Sequence, residues 1–376
     1  GTSGTAIGTG TLLFSNGAIF ATNAGGLTIN NAVQIASNTV AVFTGLNSIS
    51  ATSVTGNTGN PWTITNTITA PAGLSIGAFN SAESTTARTL TFVGNGNTTV
   101  GNITSTGGAA STATVSVTVN GTGTVTFNGT NTSGTAVPTL TITQGTAVIG
   151  NTGFLPSNAA VTFIGGVLQA NVSLSGANAI NTLTLNGTGT NSPNSAFPTL
   201  TGTNNVDITT LNLNASGTNP SATRLFYNNL SGGAVLNVGA TTLMLVGTGV
   251  GTFQLAGSGT TNFTGAIVNG TAGPGGAGIV TYLGTGAVNF TADNTYTGAT
   301  TLSGGTATLS GNGRFSGTSG VTVNHGATLT LDNNAAGNPA TADRLGNKPL
   351  VLNGATLNFI GNSSGSTEGT AGCTLT

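Results

Sequence analysis

The chain has 376 residues, and charged residues make up only 3% of them, against about 25% in ordinary soluble domains. Five Lys and Arg residues are too few for a basic nucleic-acid surface, and one His with one Cys cannot supply the ligands of a zinc site. Hydrophobic residues at 37% and a mean hydropathy of +0.23 argue against disorder, while ten prolines and irregular glycine spacing exclude collagen.

Short runs that alternate apolar with small polar residues recur along the chain. In chain order they are Ala113–Val119, Gly121–Asn128, Leu183–Leu185, Leu211–Leu213, Val321–Val323 and Leu329–Leu331. This alternation places apolar side chains on one face of a strand and Thr or Asn on the other. Asn-Gly pairs such as Asn128-Gly129 and Asn353-Gly354 favour tight turns between strands. Because good helix formers are scarce, the pattern predicts an all-β fold of many short strands.

A short sequence unit of Gly followed by small residues and an apolar residue recurs in the second half of the chain. It begins at Gly239, Gly259, Gly286, Gly305, Gly326 and Gly354, at intervals of 19 to 28 residues. Since one turn of a parallel β-helix has this length, we expect a right-handed parallel β-helix, or β-solenoid, of roughly 18 coils. Stacked turns would bury Val, Leu, Ile and Phe, and stacked Thr, Ser and Asn would hydrogen-bond on the outside.

A longer sequence repeat contains several of these short units. The run Gly121–Phe127 aligns with Gly284–Phe290, 163 residues later, and Asn131-Thr132 aligns with Asn294-Thr295 at the same offset. The alignment predicts three regions of one solenoid: divergent coils over 1–120, a first repeat unit over 121–283 and a second repeat unit over 284–376.

The run Asp293–Leu309 resembles the autotransporter-associated β-strand repeat, whose pattern is roughly N-T-Y-T-G-x-T-x-[IVL]-x-x-G-T-L. It keeps Asn294 to Gly298, Thr300, Leu302 and Gly305-Thr306, and then departs from the pattern with Ala-Thr inserted before Leu309. The strong match covers about 284–365. A weaker one covers 121–175, where Ser133 stands in place of Tyr296 and Pro138 interrupts. The resemblance implies secreted bacterial surface proteins with β-solenoid passengers, and it supplies no catalytic motif.

Few side chains are candidates for chemistry. Ser363 lies in Gly361–Gly365, which fits the G-x-S-x-G elbow, but no His follows it and no helix is predicted there. His325 is the single imidazole and is predicted to lie solvated in a turn. The acids are Glu83, Asp207, Asp293, Asp332, Asp343 and Glu368. Asp343 and Glu368 could meet on adjacent turns, although charge pairing of Asp343 with its neighbours Arg344 and Lys348 is the simpler interpretation. We therefore predict no catalytic, cofactor or metal site.

Aromatic and asparagine side chains offer a second group of surface candidates. Trp62, Tyr227, Tyr282 and Tyr296 are candidate glycan contacts, with packing in the core as the simpler role. The sequons at Asn97, Asn102, Asn128 and Asn262 follow from composition, and Cys373 has no partner for an internal disulfide.

These patterns predict a non-catalytic structural protein of the bacterial cell surface or extracellular space. It would be a β-solenoid rod that serves as an adhesin or stalk segment, or as the subunit of a self-assembling filament. Neither end carries a charged cap, so we expect end-to-end self-association or continuation in a longer chain. A glycan or cell-surface contact is a further expected partner, and nucleic acid, a cofactor and a transmembrane segment are not expected. The alternative is a polysaccharide-binding or polysaccharide-degrading β-helix protein.

Overall fold

The computed structural model describes residues 10–22, 24–37, 39–59, 61–106, 112–187, 197–215, 223–244, 251–270, 277–334 and 343–375. The chain is all-β and forms a parallel stacked β-solenoid of about 13 turns, which confirms the predicted all-β class and the parallel stacking. It divides into two units, Gly1–Asn178 and Ala179–Thr376.

Unit 1 contains short strands in its first turns and longer strands that bend through corners in its later turns. Its strands are β1 Leu12–Phe14, β2 Gly17–Ala21, β3 Leu27–Ile29, β4 Val33–Ile35, β5 Val40–Gly45, β6 Ile49–Ala51, β7 Val54–Gly56, β8 Trp62–Asn66, β9 Gly73–Ser81, β10 Arg88–Val93, β11 Asn97–Ser105, β12 Val115–Phe127, β13 Thr139–Ile149, β14 Ala160–Phe163 and β15 Val167–Ala170. Single 3₁₀ turns occur at Thr152–Phe154 and Gly176–Asn178.

In the first turns of unit 1, three strands make one turn. Strand β1 pairs with β4, β2 with β5 and β3 with β6. Each pair is parallel, and the second strand lies on the same side of the solenoid one turn later. Alternate residues of each strand therefore lie above one another, and the inward ones form the core. Trp62 and Phe79 meet edge to face, and Phe127 stacks on Phe154 with ring centroids 3.9 Å apart.

Unit 2 is also a stack of parallel strands, and most of its strands pair with the strand two places further along the chain. Its strands are β16 Ile180–Gly187, β17 Thr199–Gly202, β18 Val206–Ala215, β19 Thr223–Leu230, β20 Val235–Met244, β21 Gly251–Ala256, β22 Thr260–Phe263, β23 Ile267–Asn269, β24 Gly278–Tyr282, β25 Ala287–Phe290, β26 Thr300–Leu302, β27 Thr306–Leu309, β28 Val321–Val323, β29 Thr328–Asp332, β30 Leu350–Leu352, β31 Thr356–Ile360 and β32 Cys373–Leu375. One inward column runs from β22 to β31 through Phe263, Phe290, Leu309, Leu331 and Phe359.

The turns are longer than the 20 residues that the estimate of 18 coils assumed. Side chains that meet across one turn are 30 residues apart at Asp207 and Asn237, and 21 residues apart at Ser303 and Asn324. Both the strands, which range from 3 residues in β1 to 13 in β12, and the segments that connect them vary in length. A count of about 13 turns follows.

The outside of the stack is polar, as the sequence predicts. In unit 1 a column of five hydroxyl side chains runs through Thr63, Thr91, Thr118, Thr141 and Thr162. In unit 2 the amide nitrogens of Asn289, Asn262 and Asn237 each donate to the side chain one turn earlier, at 2.7 to 2.8 Å, and the ladder ends on the Asp207 carboxylate. Such ladders fix the register of one turn on the next.

Candidate functional site

The polar side chains with the most contacts lie inside the solenoid rather than in a cleft. One of the most buried is Arg344, whose exposed fraction is 0%. The turn at 343–347 directs its guanidinium into the stack. Four acceptors surround the group: the carbonyl oxygens of Gly311, Gly313 and Asp332, and the Oδ1 atom of Asn333, at 2.7 to 3.0 Å.

Arg344 is therefore a hydrogen-bond donor that ties three neighbouring segments together. The sequence-based interpretation that it pairs with the Asp343 carboxylate is wrong, because the guanidinium turns inward to backbone oxygens. Burial lowers the pKa of Arg344, and the nearby carboxylates of Asp332 and Glu368 oppose that shift. A guanidinium suits this place, since its planar fork presents several donors at once.

Asp343 and Glu368 do come together, as the spacing suggested, but both bind backbone. The Glu368 carboxylate accepts the N–H groups of Arg344 and Leu345 at 2.8 and 2.7 Å. Asp343 accepts the N–H of Gly369 at 3.0 Å. Burial raises the pKa of Glu368, against the effect of the two N–H donors. The two acids thus fasten the segment at 368–369 to the turn at 343–346.

Glu83 has an equivalent role in unit 1. Its carboxylate forms a 2.9 Å ion pair with Arg88, and accepts the N–H of Gly59, one turn earlier, at 2.7 Å. The bond from Gly59 and, after it, the contact with Arg88 lower the pKa of Glu83, although burial acts in the opposite direction. Among the described residues no group of three or more His, Cys, Asp or Glu side chains could hold a metal ion.

The motif that resembles the autotransporter repeat forms a corner of unit 2. Tyr296 is fully buried, and its hydroxyl bonds to Thr300, which in turn bonds to Thr318. Asn294 accepts the N–H of Ile267 on the previous turn and donates to the carbonyl of Arg314 on the next. The polar positions of the motif are thus filled by groups that join successive turns.

The candidate nucleophile and base lie on the surface and apart from this network. Ser363 is exposed in a turn that Asn362 closes by accepting the N–H of Ser364 and of Gly365, and no helix follows it among the described residues. His325 is exposed in the turn between β28 and β29. Within the part of the chain that the structure describes, neither has the partners that a nucleophile elbow or a general base needs.

Three of the four candidate glycan aromatics are core residues. Trp62 and Tyr296 are fully buried, and Tyr282 is 3% exposed with its hydroxyl bonded to the Gly286 carbonyl. Burial raises the pKa of Tyr282 to about 12. Tyr227 is half-buried, and it lies 6.0 Å from the ring of Phe197, which is 53% exposed.

The sequons and the cysteine lie at mixed depths. Asn97, Asn102 and Asn128 are exposed, whereas Asn262 belongs to the amide ladder. Cys373 is free and exposed.

Two buried asparagines, one in each unit, were missed by the sequence reasoning. On the next turn, the Asn66 side chain donates to the carbonyl oxygen of Asn97 at 2.8 Å and to the hydroxyl of Thr98 at 3.0 Å. Its Oδ1 atom accepts the N–H of Ile68. Asn228 makes the same three bonds with Thr260, Thr261 and Leu230.

The sequence does contain a signal for this pair. Each asparagine is followed one turn later by Gly-x-Gly, at Gly94–Gly96 and at Gly257–Gly259, where the backbone passes so close that a Cβ would collide. The two copies of this pattern, an asparagine followed one turn later by Gly-x-Gly, are separated by about as many residues as Gly121 and Gly284. The long repeat therefore extends upstream of the predicted alignment.

No family model, curated protein or solved structure matches the chain. Within the described segments, no helix has both the length and the apolar character required for a membrane crossing.

Proposed function

We propose that the chain is a non-catalytic structural protein of the bacterial cell surface or extracellular space. It is a β-solenoid segment that serves in an adhesin or stalk, or as the subunit of a self-assembling filament. The observation that carries this proposal is the use of ionisable and hydroxyl side chains as ties between turns. Arg344, Glu368 and Glu83 bond to backbone groups of neighbouring turns. Tyr296 bonds to Thr300, whose hydroxyl bonds to Thr318 on the next turn.

The location outside the cell is supported by the resemblance to the autotransporter-associated repeat and by the near absence of charge. The resemblance implies exported bacterial solenoids, and the corner formed by Asn294, Tyr296 and Thr300 is what a turn-building repeat requires. We also propose a right-handed coil, because parallel crossovers are right-handed in about 98% of cases.

Self-association end to end, or continuation in a longer chain, is part of the same proposal, as is a contact with glycans or the cell surface. No cofactor and no nucleic-acid partner belong to it. The neutral outer columns, such as the five Thr residues of unit 1, present hydroxyl groups and no phosphate-binding charge.

The alternative is a polysaccharide-binding or polysaccharide-degrading β-helix. Two observations favour testing it: Asp343 and Glu368 approach the same turn, and Phe197 is exposed beside Tyr227. An exposed aromatic face can pack against a sugar ring, while a pair of acids is the minimum for glycoside hydrolysis.

Turnover of polysaccharides separates the two functions. The purified chain and a double variant, Asp343→Asn with Glu368→Gln, are incubated with a panel of neutral and acidic polysaccharides, and new reducing ends are measured. We expect no release above a heat-denatured control for either protein. Release by the native chain that the double variant loses would overturn the structural proposal in favour of the enzyme.

Surface labelling tests the location. Intact producing cells are treated with a protease or with an antibody against the chain, and lysed cells serve as the control. Access in intact cells is expected, whereas protection until lysis would contradict an extracellular role.

A further inference from the structure

The turn between β30 and β31 contains an Asn-Gly pair, and the single imidazole of the chain lies beside it. Gly354 is exposed and has a positive φ of 60°. A Cβ atom on Gly354 would lie 3.2 Å from the Cδ2 atom of His325, so the ring of His325 lies against this glycine. His325 belongs to the turn between β28 and β29, and β28 is the parallel partner of β30. The stacking therefore brings the imidazole to Asn353-Gly354.

The backbone nitrogen of Gly354 has no hydrogen-bond acceptor among the described residues. In an Asn-Gly pair the backbone nitrogen reaches the side-chain Cγ of the asparagine with little obstruction, because glycine has no Cβ. An N–H that donates to a carbonyl oxygen is held away from that path. The Gly354 nitrogen is not held in this way, so it is available to attack Asn353.

Two other Asn-Gly pairs of unit 2 lack this freedom. In Asn269-Gly270 the glycine N–H donates to the carbonyl oxygen of Leu243 at 2.7 Å. In Asn312-Gly313 it donates to the carbonyl oxygen of Ser310, also at 2.7 Å. Neither pair has an imidazole of its own, because the chain has one His. The same dipeptide therefore occurs in unit 2 with a free nitrogen and with a restrained one.

We propose that Asn353 is a site of spontaneous deamidation in which His325 is the general base. The Gly354 nitrogen forms a bond to Cγ of Asn353 and gives its proton to the imidazole, which returns a proton to the departing Nδ2. The Cγ–Nδ2 bond breaks, ammonia leaves, and a cyclic succinimide remains. One water molecule then opens the ring at either carbonyl group, which leaves an aspartate or an isoaspartate at position 353.

The amide that is lost joins two turns of the solenoid. Asn353 Nδ2 donates to Asn324 Oδ1 at 3.1 Å, and Asn324 Nδ2 donates to the hydroxyl of Ser303 at 3.1 Å. After deamidation a carboxylate oxygen faces the Asn324 oxygen, so the bond between these turns is lost and the two oxygens repel. Isoaspartate also inserts an extra carbon into the backbone of the turn. The modification therefore loosens the rung of β30 and β31 on the rung before it.

Peptide mapping measures the modification. The purified 376-residue chain is kept at neutral pH for several weeks and digested with pepsin in acid, where succinimide formation is slow. Mass spectrometry then quantifies the aspartate and isoaspartate peptides. Position 353 should convert at least about tenfold faster than positions 269 and 312, which are matched controls in the same molecule. In the urea-unfolded chain the three pairs should convert at similar rates. Equal rates in the folded chain, or the same ranking after unfolding, would overturn the inference.

Two variants test the base and the consequence separately. His325→Gln should slow conversion at position 353 by about tenfold while circular dichroism stays unchanged, and an unaltered rate would remove His325 from the proposal. Asn353→Asp reproduces one product and should speed hydrogen exchange in peptides from β30 and β31. Asn312→Asp, at an exposed position, is its control and should leave exchange in those peptides as it is. Equal exchange in both variants would contradict the loosening of this rung.

Discussion

Replacement of Asn228 by Ala tests the claim that buried polar groups hold one turn on the next. Asn228 is 1% exposed, and its side chain makes three hydrogen bonds, two to the following turn at 3.0 and 2.9 Å and one to the N–H of Leu230 at 3.2 Å. The substitution removes all three bonds and leaves the Leu230 N–H and the Thr261 hydroxyl buried without that partner.

The magnitude follows from those two groups. A buried donor or acceptor left unsatisfied costs about 1–3 kcal/mol, so we expect Asn228→Ala to lower the free energy of unfolding by about 3 kcal/mol. Asn66→Ala should cost the same in unit 1, because Asn66 makes the corresponding bonds. Asn229→Ala is the control: Asn229 also accepts a bond from the following turn, the N–H of Ser258 at 3.3 Å, but it is exposed to water, and a cost within about 0.5 kcal/mol is expected.

The assay is urea denaturation combined with hydrogen exchange followed by mass spectrometry. Stacked repeats need not unfold in one step, so exchange is the more direct measurement. Asn228→Ala should speed exchange in peptides from β19 and β22, while peptides of unit 1 keep their protection. A loss within 0.5 kcal/mol for both Asn66→Ala and Asn228→Ala, with unchanged exchange, would refute the reasoning.

Three further substitutions test other ties between turns. Arg344→Met should lower the free energy of unfolding by about 3–5 kcal/mol, measured by urea denaturation, because it leaves several buried carbonyl groups without a donor; an unchanged midpoint would contradict this role. The pKa of Glu83 in the folded chain lies below its ordinary value of 4.5, so the stabilisation by this carboxylate is present above pH 4.5 and is lost as pH falls through the lower folded value. The difference in melting temperature between the native chain and Glu83→Gln should therefore shrink in acid. A constant difference from pH 7 to pH 3 would oppose the assignment. Gly305→Ala should lower the free energy of unfolding, measured in urea, by about 2 kcal/mol more than Gly326→Ala does. Both glycines have positive φ, but of the two only Gly305 would place a Cβ 2.3 Å from a carbonyl oxygen. Equal costs would remove the steric argument.

The parallel stacking and its inward columns were predictable from the sequence because the signal repeats from turn to turn in the second half of the chain. The templates at Gly286, Gly305 and Gly326 open β25, β27 and β29, and their apolar residues lie in one column. Alternation along each strand determines which side chains face inward, so the position of Phe290 in the core followed directly. The number of turns did not follow, because loop length varies without breaking the stack.

The contacts of individual polar side chains were less predictable. Arg344 has Asp343 beside it in sequence, and nothing local indicates that its guanidinium turns to carbonyl groups of residues 30 or more positions earlier. Trp62 and Tyr296 were open to either a surface or a core role, since their size suits both and only the neighbouring turns decide. Asn66 and Asn228 resemble the many exposed asparagines of this chain until the following turn is in place.

Register between turns is the central claim, and engineered disulfides test it most directly. Thr281 on β24 is the Cα partner of Thr301 on β26, which is in turn the partner of Thr322 on β28. In a Cys373→Ser background, Thr281→Cys with Thr301→Cys should form a disulfide on oxidation, because neighbouring rungs are about 4.8 Å apart. Thr281→Cys with Thr322→Cys, two rungs apart, should stay reduced. Efficient bonding in the second pair and none in the first would contradict the stacked parallel coil.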